Sequence, residues 1–546
     1  MHDVINPILP GFNPDPCLLR VDRDYYLATS TFEWWPGVRI HHSRDLANWT
    51  LAGYALTRKS QLDMRGNPPS CGVWAPALSH ADGKFWLVFS DVKACNGYAK
   101  DVRNFLVTAP AVDGPWSDPV PLNCSGFDPS LFHDDDGRKW LLNQIWDPRL
   151  GCNHFAGISL QEYCPRTRRL LGNSTTIFRG SNLGVTEGPH LYKRDGFYYL
   201  VTAEGGTGYT HAVTVARARK LTGPYELSPY HPLLTSAGAL EAPLQKAGHG
   251  SLVQTADGSW YLAHLCSRPL GPHRRCILGR ETALQAVVWP AGEWPRLAHG
   301  GNRPAARLNV PGVDARPHLP NFADDFSSPE LDPQWNFLRE PPDPAWFSLK
   351  ERCGALRLRG RHSLLSCFDQ SLVGIRLMHQ KCRVRVGLDF LPAGFQQSAG
   401  LVFYYGPGNF HYLLVTGGER GGRELRLLCA DNGIYRSPLG SGLRLPDTGT
   451  LELSAELHCE DLQFFFAPAG RPRQPAGPVL DATVLSDDRV IEGGRWGFTG
   501  CFVALCAQDS ADSGIPADFT EFVYETYSAA PAMSVRTNQT KEALDR

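Results

Sequence analysis

Five times in the first half of the chain a short phrase returns. It ends in Tyr25-Tyr26-Leu27, Phe85-Trp86-Leu87, Lys139-Trp140-Leu141, Tyr198-Tyr199-Leu200 and Trp260-Tyr261-Leu262. A turn precedes each: Asp82-Gly83, Asp136-Gly137, Asp195-Gly196 and Asp257-Gly258 in the last four copies, Asp22-Arg23 in the first. Gly tolerates positive φ and Asp favours the turn, so each copy reads as a hairpin between two apolar strands. Ten or eleven residues upstream of the triplets stand Asp15, Ala75, Asp128, Glu187 and His249, spaced 53 to 62 residues apart. Hairpin units at a long, steady period build solenoids or propellers, and this length suits four-stranded blades with generous loops. Five blades closed in a ring would gather those five positions around one axis. Three of them are carboxylates.

A chain of 546 residues exceeds what one core supports, so further domains are expected. The repeats, residues 1–298, form the propeller, and a Gly-, Pro- and Arg-rich stretch at 299–320 reads as a linker. Beyond it, alternating runs such as Ala355-Leu356-Arg357-Leu358-Arg359 and Cys382-Arg383-Val384-Arg385-Val386 bury one face and wet the other. Residues 321–530 are therefore predicted to be a β-sandwich and 531–546 a polar tail. The fold class is all-β.

A net charge of −1 and a pI near 7.0 offer no field for nucleic acid or an anionic membrane. No apolar run approaches the ~20 residues of a membrane span, and the start lacks a basic-then-apolar secretion signal. The 15 cysteines contain no Cys-x-x-Cys and lack zinc-ligand spacing. Reduced thiols and a cytoplasmic location are expected.

Around the axis the sequence reads Asn13-Pro14-Asp15-Pro16, Trp74-Ala75-Pro76, Phe127-Asp128-Pro129, Glu187-Gly188-Pro189 and Gly248-His249-Gly250. A following Pro restrains the backbone, presenting each side chain at a set angle. Gathered carboxylates repel one another and lose solvation, so a ring of them is better explained by chemistry than by packing. Glycoside hydrolysis needs two carboxyl groups in different protonation states, one to protonate the leaving oxygen and one to activate water or attack carbon. A third acid can raise the donor's pKa through its charge.

These motifs, in this order, resemble glycoside hydrolase family 43, specifically its two-domain β-xylosidases. The likeness runs through Gly11-Phe12-Asn13-Pro14-Asp15-Pro16, Gln61-Leu62-Asp63-Met64-Arg65-Gly66-Asn67, Gly72-Val73-Trp74-Ala75-Pro76 and Thr186-Glu187-Gly188-Pro189. It extends to Gly279-Arg280-Glu281-Thr282 and Asp369-Gln370-Ser371-Leu372-Val373. The resemblance implies a five-bladed β-propeller followed by a concanavalin A-like jelly-roll sandwich. It implies an inverting enzyme with Asp15 as general base, Glu187 as general acid and Asp128 as the acid that modulates the donor's pKa and orients it. Arg280 would bind sugar hydroxyls, His249 would sit at the floor of the axis and bind water or substrate, Phe32 and Trp74 would wall the sugar pocket, and Thr207 would help to line it. In similar β-xylosidases a sandwich loop closes the propeller mouth, and the matching stretch Thr499-Gly500-Cys501-Phe502-Val503 would make Phe502 the cap. A capped pocket admits one chain end. The implied activity is thus release of xylose from the non-reducing ends of β-1,4-xylo-oligosaccharides, with α-L-arabinofuranosidase side activity, by a homodimer or homotetramer.

No catalytic metal or organic cofactor is expected. Asp324, Asp325 and Asp518 offer the carboxylate oxygens that calcium takes, so a structural calcium at Asp325 and Asp518 is a further expectation. Three alternatives stay open: a predominant α-L-arabinofuranosidase, a retaining propeller glycosidase acting on fructans, and a non-catalytic interaction propeller. The last class has shorter periods, near ~40–45 residues, and needs no acids on its axis.

Overall fold

A computed structural model describes residues 3–315, 321–419 and 421–527. Five antiparallel sheets succeed one another through the first half of the chain. Each opens with an innermost strand: Cys17–Val21, Gly72–Ala81, Ser130–His133, Glu187–Arg194 and Gln245–Gln254. The repeated triplets lie on the second strands, where Tyr, Trp, Phe and Leu suit a pleated, mostly buried surface. The expected turns join the two, as in the pairing of Ala81 with Lys84 and of Arg194 with Phe197.

Ring closure uses the segment before the first blade. Leu9 bridges Thr282 of the fifth blade, and the Asn13 amide donates to the Arg280 carbonyl. The stretch expected to be a linker takes part as well, because Arg307–Leu308 pairs with Val4–Ile5. The tail expected at 531–546 lies outside the described residues.

The second half is a sandwich of two nine-stranded sheets, framed by strands such as Lys381–Phe390 and Pro516–Thr526 in one and Gln397–Gly406 and Phe502–Asp509 in the other. Its edge is not made by the sandwich alone. Trp34–Trp35, from the first blade, pairs with Asn336–Leu338 and forms the outermost strand of the second sheet. The two halves thus share a sheet, and Trp34, Trp35 and Phe502 are buried where they meet.

Candidate active site

The axis positions come together, with one shift of register. Asp15, Ala75, Asp128 and His249 all adopt left-handed backbone, with φ between 34° and 56°. In the fourth blade that conformation falls on Gly188 (φ 57°), so Glu187 stands one residue ahead of its counterparts. The glycine is required: a Cβ there would lie 2.9 Å from the His249 ring. Left-handed backbone is costly for residues bearing a Cβ, and serines one strand away help to fix it. Ser30 Oγ accepts from the Ala75 amide at 2.7 Å, and Ser90 Oγ accepts from the Asp128 amide at 3.2 Å.

Asp15 is held as an anion. Its Oδ2 accepts from Ser30 Oγ at 2.6 Å, and its Oδ1 accepts from Arg280 Nη1 at 2.9 Å. His249 Nδ1 stands 3.9 Å from the same Oδ1. Burial pushes the carboxyl up, but Arg280, His249 and Ser30 outweigh it and leave Asp15 below the ordinary carboxylate value. Glu187 lies deep among protein atoms while keeping some open surface. Burial and the charge of Asp15 push its carboxyl up to about 8, against the opposing pull of Arg280 and Lys100.

Asp128 accepts from the Gly188 amide at 3.1 Å, which ties it to the residue beside Glu187. Burial, Glu187 and Asp15 raise its carboxyl well above the ordinary value. The charge expected from Asp128 therefore comes from Asp15 instead, since a carboxyl driven toward neutrality carries little field. The arrangement sets one ionised carboxyl, Asp15, beside two driven toward the protonated form, Glu187 and Asp128, and acid–base cleavage of an acetal requires one carboxyl of each kind.

That space is a cavity of about 220 Å³, below the ~300–1,000 Å³ typical of sites for larger ligands. Phe32, Trp74, Thr207, His249 and Arg280 line it with the three acids. Arg280 spends most of its donor capacity on protein: on Asp15, on Thr207 Oγ1 at 3.2 Å, and on the Phe498 carbonyl at 2.9 Å.

Phe502 is not the cap. It is fully buried, stacked on Trp34 at 3.5 Å and set edge-on to Phe12. The sandwich does reach the cavity, but through Trp496 and Phe498. The Phe498 ring lies 6.0 Å from Phe32 and 5.4 Å from Trp74, and its amide donates to Ser70 Oγ. The displacement has a steric cause. A Cβ on Gly279 would meet the Thr499 carbonyl at 2.5 Å, and one on Gly500 would meet the Leu278 carbonyl at 2.8 Å. These glycines mark where the two halves press together. Residues 499–507 are interior, and those just before them close the mouth.

The acids expected to hold calcium are engaged by protein groups. Arg352 and Arg357 clamp Asp518 at 2.7–2.9 Å, and Asp325 accepts from the Ser327 amide. Asp324 accepts from Trp335 Nε1 and the Phe326 amide. A carboxylate neutralised by two guanidiniums is a poor ligand for a hard cation. Among the described residues no three His, Cys, Asp or Glu form a metal cluster.

Sequence reasoning misses Ser30, Lys100, Phe127, Trp146, Phe155, Val185, Gly206 and His211 as site residues. Two carry a signal: Phe127 adjoins Asp128, and Ser30 and Ser90 each fall three residues after the repeated Leu. Lys100, with Nζ 4.4 Å from the Trp146 ring centre, carries none.

Residues 4–295 match the description "Glycosyl hydrolases family 43", and residues 323–525 match "Beta xylosidase C-terminal Concanavalin A-like domain". The chain belongs to glycosyl hydrolase family 43. This family 43 chain is 48% identical to xylosidase/arabinosidase 43B of Humicola insolens, over 96% of its own length and 98% of the relative's. It is 43% identical to a β-xylosidase of Bacillus subtilis, over 96% and 99%. The crystal structure of a xylan β-1,4-xylosidase from Bacillus halodurans superposes with a TM-score of 0.93 at 51% identity, covering 96% of this chain and all of that one.

Proposed function

We propose that this family 43 hydrolase is an exo-acting, inverting β-xylosidase that releases xylose from the non-reducing ends of short β-1,4-xylo-oligosaccharides, with α-L-arabinofuranosidase side activity. The observation that carries the reading is the pairing, in one small cavity, of Asp15 held ionised and Glu187 held protonated up to about 8. Glu187 donates its proton to the glycosidic oxygen. Asp15 removes a proton from the water that attacks the anomeric carbon from the opposite face, which inverts configuration. Asp128, tethered to the Gly188 amide, keeps the neighbourhood of the donor in register. Arg280 holds Asp15 ionised and Thr207 in place, while Phe32, Trp74 and Phe498 wall the terminal sugar.

The substrate is read from the names of relatives that match end to end, including one that carries both activities in its name. A homo-oligomeric state and a cytoplasmic location belong to the same proposal, supported for the latter by fifteen free thiols. Proton NMR of the first sugar released from an aryl β-xyloside tests the mechanism. α-Xylose should appear first, and initial β-xylose would exclude inversion. Parallel rates on aryl β-xyloside and aryl α-L-arabinofuranoside should favour the xyloside.

A further inference from the structure

Of the side chains lining the cavity, His211 alone carries a fully enclosed polar atom, Nε2, that has no partner among the described residues. The rest of the residue is firmly held. It sits just before the third strand of the fourth blade, Ala212–Ala218, with its carbonyl accepting from Thr235 Oγ1 at 2.7 Å and its amide donating to the Gly208 carbonyl. Its ring fills space that a side chain at position 248 would need, because a Cβ on Gly248 would come within 2.3 Å of it. The residue is 1% exposed.

The tautomer is set by chemistry. Nδ1 lies 3.1 Å from the Lys246 carbonyl, which can only accept, so Nδ1 carries the proton. A neutral ring protonated at Nδ1 leaves Nε2 as an acceptor. Burial, with the charges of His249 and Arg280, lowers this histidine to about 3, so it keeps that form wherever the acid pair can work. An enclosed acceptor without a donor destabilises the free protein. The ligand that belongs in this cavity carries a hydroxyl on nearly every ring carbon.

We propose that His211 Nε2 accepts a hydrogen bond from a hydroxyl of the terminal sugar, making His211 a specificity-determining residue of the site. The inference rests on the glycosidase reading above and deepens it. A site built to bond a hydroxyl rejects the analogue that lacks it far more strongly than a merely shape-matched pocket does. The Gly248-His249-Gly250 motif thereby gains a second purpose, since Gly248 makes room for the ring of His211.

Two measurements test it. In crystals of the unaltered protein soaked with xylose, a sugar hydroxyl oxygen should lie within about 3.2 Å of Nε2. Xylose seated in the cavity with Nε2 against carbon would overturn the proposal and leave the glycosidase reading intact. A cavity that refuses xylose, with no hydrolysis of aryl pentosides, would remove both. In kinetics, His211→Phe should lower kcat/KM on an aryl β-xyloside about tenfold, and His211→Gln, which keeps a neutral acceptor, should recover most of it. Against the deoxy-xyloside lacking the bonded hydroxyl, His211→Phe and the unaltered enzyme should agree within about twofold. An equal loss on every deoxy-xyloside would mark a structural role and refute the assignment.

Discussion

Arg280 and Ser30 keep Asp15 ionised, and that charge, together with burial, keeps the proton on Glu187 up to about 8. In the proposed mechanism these two groups set the pH profile of kcat/KM. It should fall as pH rises through about 8, where Glu187 loses the proton it must donate. It should fall on the acid side only below the ordinary carboxylate value, where Asp15 gains one. Glu187→Ala should cost at least about 100-fold on substrates with poor leaving groups and much less on an activated aryl xyloside. Asp15→Ala should abolish turnover on both. Lys100 supplies a positive charge that favours ionised Glu187. Lys100→Met removes it, so the alkaline limb should move to higher pH, and an unmoved limb would exclude that coupling. At this scale the three acids are legible in the sequence, because a repeat marks where its equivalent positions fall. Lys100 and His211 are not, since both lie in loops between strands, outside the repeated phrase.

Among the elements, the short helix Asp487–Glu492 bears on the site without touching it. Ser486 caps it, its side chain accepting from the Arg489 amide, and its first turn carries Asp487 and Asp488, which suit the positive end of the helix. Those acids dock on the fifth blade. Lys246 Nζ lies 2.6 Å from Asp488 and 3.5 Å from Asp487, and the Cys276 amide donates to Asp488 at 2.9 Å. Arg275 grips Glu492 at the other end. Trp496 and Phe498 come within a few residues of the helix end, so the latch sets where the cap sits. Lys246 is 2% exposed, and removing one member of a buried pair leaves the others uncompensated at a cost of about 3 kcal/mol. Lys246→Met should lower the unfolding midpoint and raise KM for an aryl xyloside through a loosened cap. Thermal scanning beside steady-state kinetics checks both, and a fall in stability with KM unchanged would disconnect the latch from the mouth. None of this is legible in the sequence: a six-residue helix among strands has no period to read, and its partners lie more than 200 residues away.

Across the whole molecule, the two halves are joined at the catalytic centre as well as along a shared sheet. Arg280 holds Asp15 with one end of its guanidinium and the Phe498 carbonyl with the other. The sequence shows that a propeller and a sandwich exist, because their strand periods differ in kind. It does not show where they touch, and so it points to Phe502, an interior ring, as the cap instead of Trp496 and Phe498. The observed closure governs how polymer is cut. A mouth narrowed by the half-exposed Trp496 and by Phe498 over a cavity of about 220 Å³ suits a chain end better than a chain passing through. Xylotriose should therefore lose one xylose at a time, while polymeric xylan reacts slowly and yields no long fragments early in the digest. Phe498→Ala removes a ring packed against Phe32 and Trp74, worth about 2 kcal/mol of contact with the bound sugar and its walls, so kcat/KM on xylobiose should drop roughly 30-fold. Phe502→Ala should act differently, lowering stability by about 3–5 kcal/mol through a cavity beside Trp34 while folded enzyme keeps its KM. Chromatography of xylotriose digests, run beside thermal unfolding of both variants, separates the two roles. A Phe502→Ala enzyme that folds as before yet binds xylobiose poorly would return the cap to Phe502 and overturn the assignment to Phe498.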